Sequence, residues 1–201
     1  MTRVPRIAVL PLVLLLTGLT MSFALKNTAN DSTFRSQNLS LVVKGTSTLH
    51  DWEMKSGGGN CQVTLALGAG DKVTGLSGLS FTAPTESLKS EHAAMDKNAY
   101  KALKSGSAKN ITFVLSSAKV VPVDASTYTL HCLGKLTIAG TTRETDLAAT
   151  VKYNAADKTF QCSGTKKLKM TEYKVEPPSF MMGTVKTGDE VAISFTTKIA
   201  R

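Results

Sequence analysis

The chain has 201 residues, 42% of them hydrophobic, and a formal net charge of +9 at pH 7. That length suits one domain with a sizeable core and is short for two. The basic residues fall as singles and pairs, Lys166-Lys167 being the densest, without the basic runs interleaved with aromatics that mark nucleic-acid binders, so nucleic acid is excluded as a partner. The charge reads as a solvated basic surface, or as a source of transient contact with anionic membrane surfaces.

Residues 1–24 read as a signal peptide. Arg3 and Arg6 give a basic start, Ile7 to Leu19 an apolar run, and Ser22-Phe23-Ala24 the small-residue spacing of a cleavage site. The run is short for a membrane anchor. Export is expected, to the periplasm of a Gram-negative bacterium. No cysteine precedes Cys61, which excludes a lipid-modified cysteine at this site. Cys61, Cys132 and Cys162 are an odd number for an exported chain, so at least one lacks an internal partner. One disulfide stays open, and the sequence does not choose its pair.

Residues 25–38 read as a loose polar leader, with order starting near Leu39 and the domain occupying residues 39–201. Leu39 to Val43 predicts the first strand, running into Gly45-Thr46-Ser47-Thr48-Leu49-His50-Asp51-Trp52-Glu53-Met54. Ser47, His50 and Asp51 are catalytic residue types, yet neighbours on an extended segment point to opposite faces and do not converge. A hydroxyl-rich strand or turn with a Trp anchor is the better reading. His50, His92 and His131 are scattered without metal spacing.

Cys61, Val63, Leu65 and Leu67 alternate with polar or small residues, and Val73 to Ala83 extends to Pro84, with Phe81 near its end. One helix is predicted over Asp96 to Ser105, with Asp96 as N-cap, Met95 and Tyr100 as a hydrophobic staple and Gly106 as the stop. It turns Ala99, Tyr100 and Leu103 to the core and Lys97, Lys101 and Lys104 to water. Ile111, Phe113 and Leu115 form the next inward row. Tyr128, Leu130, Cys132, Gly134, Leu136 and Ile138 follow, then the Ala139-Gly140 hairpin turn. Thr145, Leu147, Ala149, Val151 and Tyr153 return. After the turn at Asn154 to Lys158, Phe160 opens a strand toward Met170. Pro177-Pro178 and Gly183 bracket Phe180, Met181 and Met182, which read either as a pocket lip or as a plug. Val191, Ile193, Phe195, Thr197 and Ile199 make the inward row of a closing strand.

These elements predict an all-β fold: a closed antiparallel barrel of about eight strands with one short inserted helix. Such a barrel is either filled by side chains or holds one small ligand. Gly134, Ala149, Gly164 and the three cysteines on the inner rows favour a cavity. The outward rows carry Thr, Lys, Glu and Asp, which fits a soluble barrel better than an outer-membrane barrel with its apolar belt.

Four segments in order, GTSTLHDWEM from Gly45, MDKNAYKAL from Met95 with Ile111-Thr112-Phe113, GKLTIAGTT from Gly134, and the closing MTEYKVEPPSFMMGTVKTGDEVAISF from Met170, resemble the exported bacterial YceI-like proteins over nearly the whole mature chain. One departure is Ser107-Ala108-Lys109-Asn110, where members often place an aromatic-Pro pair. The resemblance implies a lipocalin-like barrel with a long apolar channel for a polyisoprenoid or another long-chain amphiphile. On this sequence it implies a ligand site of Val63, Leu65, Phe81, Tyr100, Leu103, Ile111, Phe113, Leu115, Leu136, Ile138, Leu147, Val151, Phe160, Ile193 and Phe195, with Phe180, Met181 and Met182 near the wall or mouth.

Burying one five-carbon isoprene unit contributes roughly 3 to 4 kcal/mol gross, so two or three units suffice for micromolar binding. The expected protein is a carrier, buffer or sensor of a long-chain lipid, of isoprenoid, quinone or fatty-acid type, with no catalytic group, metal or other cofactor. Assembly is open between monomer and homodimer. A packed barrel acting as an envelope stress or interaction protein is the alternative, and an enzyme using His50 and Asp51 as an acid-base pair is a third.

Overall fold

The computed structural model describes residues 30–36, 38–180 and 183–201. The segment read as a signal peptide, the first residues of the leader, Met181 and Met182 lie outside the described residues. The chain forms β1 (Asn30–Ser36), β2 (Ser40–Ser47), β3 (Trp52–Ser56), β4 (Asn60–Leu67) and β5 (Val73–Pro84), then the helix α1 (Ala93–Ala102). There follow β6 (Asn110–Pro122), β7 (Thr127–Ile138), β8 (Thr141–Asn154), β9 (Thr159–Lys169), β10 (Ser179–Phe180) and β11 (Val185–Ile199). The ladders are antiparallel in the order β1-β4-β5-β6-β7-β8-β9-β11-β2-β3, with β10 on β11. All-β architecture with one inserted helix is as expected.

About eight strands is corrected to eleven among the described residues. The turn at Ser47 splits what read as one segment into β2 and β3, because the Ser47 hydroxyl accepts from the Leu49 and His50 amides and donates to the His50 carbonyl. The polar leader is also corrected, since β1 lies within it and pairs with β4 along its length. Its polar composition belongs to a strand with one wet face. The other face buries Phe34, whose ring meets Phe160 edge-on at 5.0 Å. Continuous closure is a further correction. The ladder path ends at β1 and β3, and the ends are tied by the isolated bridges Arg35–Ala200, Asn38–Gly59 and Lys55–Lys89 and by side-chain bonds such as Thr197 to Ser36 and Arg201 to Ser32. β1 spends its seven residues on β4 and β3 its five on β2, and no ladder joins β1 to β3 among the described residues. The result is a strongly curled sheet around one core.

The helix starts three residues before its expected N-cap, at Ala93, with His92 as the cap residue. Asp96 acts from inside the first turn, accepting from the Ser90 amide at 2.6 Å and the Ser90 hydroxyl at 2.7 Å. These bonds hold its carboxyl below the usual range, so the anchor is fully present near neutral pH and lost as pH falls through that lowered value. The left-handed residue that ends the helix is Lys104, φ 55°, rather than Gly106.

Inner-row glycines do not leave empty space. A Cβ on Gly134 would collide with the Phe113 ring, and one on Gly164 with the Phe195 ring. Each phenyl lies across a neighbouring strand's backbone, a pairing that covers glycine in sheets. Past a bulge between Leu115 and Ser117 the inward row of β6 changes parity to Ala118 and Val120.

Candidate functional site: an apolar cavity in two chambers

The curl of the sheet encloses an inner chamber of about 110 Å³. Its walls are the inward rows: Val63 and Leu65 of β4, Leu79 and Phe81 of β5, Phe113 of β6, Leu130 and Leu136 of β7, Leu147, Ala149 and Val151 of β8, Phe195 and Ile199 of β11. A larger chamber of about 410 Å³ lies between α1 and the loop ends. Met95, Ala99, Ala102 and Leu103 face it from the helix, Trp52 and Met54 from β3, and Leu168, Met170, Tyr173, Val175 and Phe180 from the other side. Val43, Leu88, Ile111, Ile138 and Ile193 line both chambers, forming an aliphatic ring at their junction.

Polar side chains in the walls are few and mostly engaged elsewhere. Thr197 donates to Ser36 at 2.8 Å, and the Trp52 indole donates to the Thr46 carbonyl at 3.0 Å. Among the described residues no fully buried side-chain nitrogen or oxygen lacks a partner. His50 and His92 stand at the outer chamber. The His50 Nδ1 lies 2.6 Å from the Asp51 backbone carbonyl rather than on a carboxylate, and the Ser47 hydroxyl hydrogen goes to the His50 carbonyl. These three residues form a turn, without the nucleophile-to-base bond that a triad requires.

Most sequence-predicted site residues meet in the cavity: Val63, Leu65, Phe81, Phe113, Leu136, Leu147, Val151 and Phe195 around the inner chamber, Leu103 and Phe180 around the outer, and Ile111, Ile138 and Ile193 at the junction. Three do not. Tyr100 points off the far side of α1, where its hydroxyl donates to the Leu88 carbonyl at 2.7 Å and Lys89 sits 5.0 Å from its ring centroid; it pins the helix. Leu115 sits at the β6 bulge and packs into the core beside the chamber. Phe160 is fully buried against Phe34 and Tyr153. Met181 and Met182 lie outside the described residues.

Sequence reasoning missed Val43, Trp52 and Met54 as wall residues, although Trp52 and Met54 alternate with charged neighbours. It also missed Met95, read as a staple before the helix. Met95, Ala99 and Leu103 recur at four-residue spacing, a signal of one helical face.

Cys61, Cys132 and Cys162 are all free and buried. Burial pushes the Cys61 and Cys132 thiols up to about 11 and the Cys162 thiol up to about 12. The thiolate is the reactive form. At pH 8 the native protein is therefore expected to leave all three unmodified by a thiol-specific disulfide reagent, and the unfolded protein to react at all three. Fast labelling of any of them in the native protein contradicts this burial.

A curled antiparallel sheet around an apolar cavity defines a lipocalin-like architecture. The chain belongs to the YceI-like family, whose domain model matches residues 23–199. Among solved structures it is similar to Burkholderia cenocepacia BcnA, at 20% identity and TM-score 0.63 over 81% of this chain and 96% of that one. It is also similar to a polyisoprenoid binding domain from Saccharophagus degradans implicated in plant cell wall breakdown, at 10% identity and TM-score 0.60, covering 85% and 98%. Among curated proteins no sequence matches.

Proposed function

We propose that this protein binds, without chemical conversion, a polyisoprenoid or another long-chain amphiphile in the two chambers, acting as a carrier, buffer or sensor after export to the periplasm. One observation carries the reading: Val43, Leu88, Ile111, Ile138 and Ile193 line both chambers, so two apolar spaces adjoin between the helix and the core of the sheet. The outer chamber falls in the size range of small-molecule pockets, about 300 to 1,000 Å³. The inner one is smaller than the roughly 150 Å³ that admits benzene, so it takes the tip of a slender chain. Family membership and the polyisoprenoid-binding name of the Saccharophagus neighbour support the ligand class.

Trp52 is the chain's one tryptophan and lines the outer chamber. Titration with a short polyprenyl alcohol is expected to shift its emission to the blue and saturate at one equivalent. An unchanged spectrum, with no heat of binding by calorimetry, would overturn the proposal.

A further inference from the structure

Among the described residues, Lys166 is the one Lys, Arg, Asp or Glu lining either chamber. It occupies the inward row of β9, between Gly164 and Leu168, opposite Ile193 of β11. Its side chain is 22% exposed, and its Nζ lies 2.8 Å from the Asp146 carboxylate. The same side chain also lines a groove on the outside of the sheet, with Leu133, Thr145 and Asp146.

A lysine reaches both sides because the wall is incomplete there. The β8–β9 ladder runs from Asn154–Thr159 to Thr150–Ser163 and stops. Both strands continue, β8 back to Thr141 and β9 on to Lys169, held by their outer neighbours β7 and β11. The resulting seam has the apolar inner chamber behind it and water in front, with the Lys166 stem lying through it. An aliphatic stem on apolar surface with a cationic head at water is how lysine spans such a boundary.

We propose that Lys166 is a headgroup site: the anionic end group of a bound chain, a carboxylate or a phosphate, sits in the seam and pairs with the Lys166 ammonium in place of Asp146, while the chain occupies the chambers. The Asp146 side chain is 83% exposed, and a pair so open to water contributes little, so an incoming anion displaces it at small cost. The groove's other cations do not substitute for Lys166: Lys167 is paired with Glu190 at 3.2 Å, and neither Lys167 nor Lys169 lines a chamber. Glu144, Asp146, Glu172 and Glu190 border the groove, which disfavours a free anion there and selects one carried in by an apolar tail.

This inference rests on the cavity as a lipid site, and the test separates the two. Three amphiphiles of equal chain length are titrated by calorimetry: an alkyl carboxylate, an alkyl phosphate and the neutral alcohol. The native protein is expected to bind one or both anions at least tenfold more tightly than the alcohol, and the stronger anion identifies the end group. Lys166→Met, which keeps the apolar stem, should erase the preference of the anions over the alcohol. Lys166→Arg should restore it, and Asp146→Asn should tighten anion binding several-fold by removing the competing carboxylate. Equal affinity for the three amphiphiles, or a preference surviving Lys166→Met, would overturn the headgroup site alone. Binding of none of them would overturn the cavity reading with it.

Discussion

An Ile193→Trp variant is expected to lose affinity for long chains by more than tenfold while binding short ones as the native protein does. Ile193 sits at the junction of the chambers, flanked in the sheet by Val43 of β2 and Lys166 of β9. An indole there fills the opening and confines any ligand to the outer chamber. The part of the chain excluded from the inner chamber forfeits about 0.8 kcal/mol for each buried CH₂. Two such groups already exceed the roughly 1.4 kcal/mol that a tenfold change represents. A ligand short enough to fit under α1 forfeits nothing. Calorimetry with a homologous series of alcohols reads the difference directly, and a denaturant melt accounts for the roughly 1 to 3 kcal/mol that overpacking costs. A uniform loss at every chain length would show that the chambers do not form one path.

Phe160→Ala is expected to lower stability by about 3 to 5 kcal/mol, the range for truncating a buried phenylalanine. Its ring has no exposed surface, meets Phe34 edge-on at 5.0 Å and lies 4.9 Å from the Tyr153 ring. It packs β1 against β8 and β9, beside the single Arg35–Ala200 bridge that ties β1 to the end of β11, so the cavity left by alanine loosens three strands together. Urea unfolding measures the effect. A loss below about 1 kcal/mol would show that the site collapses onto the missing ring. Short-chain binding in the variant should be unchanged while it is folded, because Phe160 lines neither chamber.

Much of this fold was legible because a half-buried strand writes its inner face at every second residue. Leu130, Leu136 and Ile138, or Leu147, Ala149 and Val151, fall on the cavity wall as their alternation predicts. Where a backbone device intervenes, alternation fails. The bulge after Leu115 costs nothing in composition and still turns the row. Glycine was misread for a related reason: Gly134 and Gly164 are small in sequence, but each is roofed by a phenyl from an adjacent strand, a relation visible only once the strands are in register. Asp96 has the right chemistry for a helix start, and the structure uses that chemistry one turn later, on Ser90. Tyr100 shows how an amphipathic side chain defeats a two-letter pattern, its ring counted as apolar while its hydroxyl directs it to the Leu88 carbonyl. Lys166 was the readable exception, a charge interrupting the inward row Phe160, Cys162, Gly164, Leu168, passed over in favour of the Lys166-Lys167 pair as surface.

Native mass spectrometry of the protein, produced with export, purified without detergent and then extracted with organic solvent, tests the binding of a long-chain amphiphile most directly. The expected result is a discrete added mass that the solvent releases as one apolar chain, or its appearance after incubation with polyprenyl lipids. A bare chain mass that persists after incubation with polyprenyl lipids, quinones and fatty acids would contradict the account.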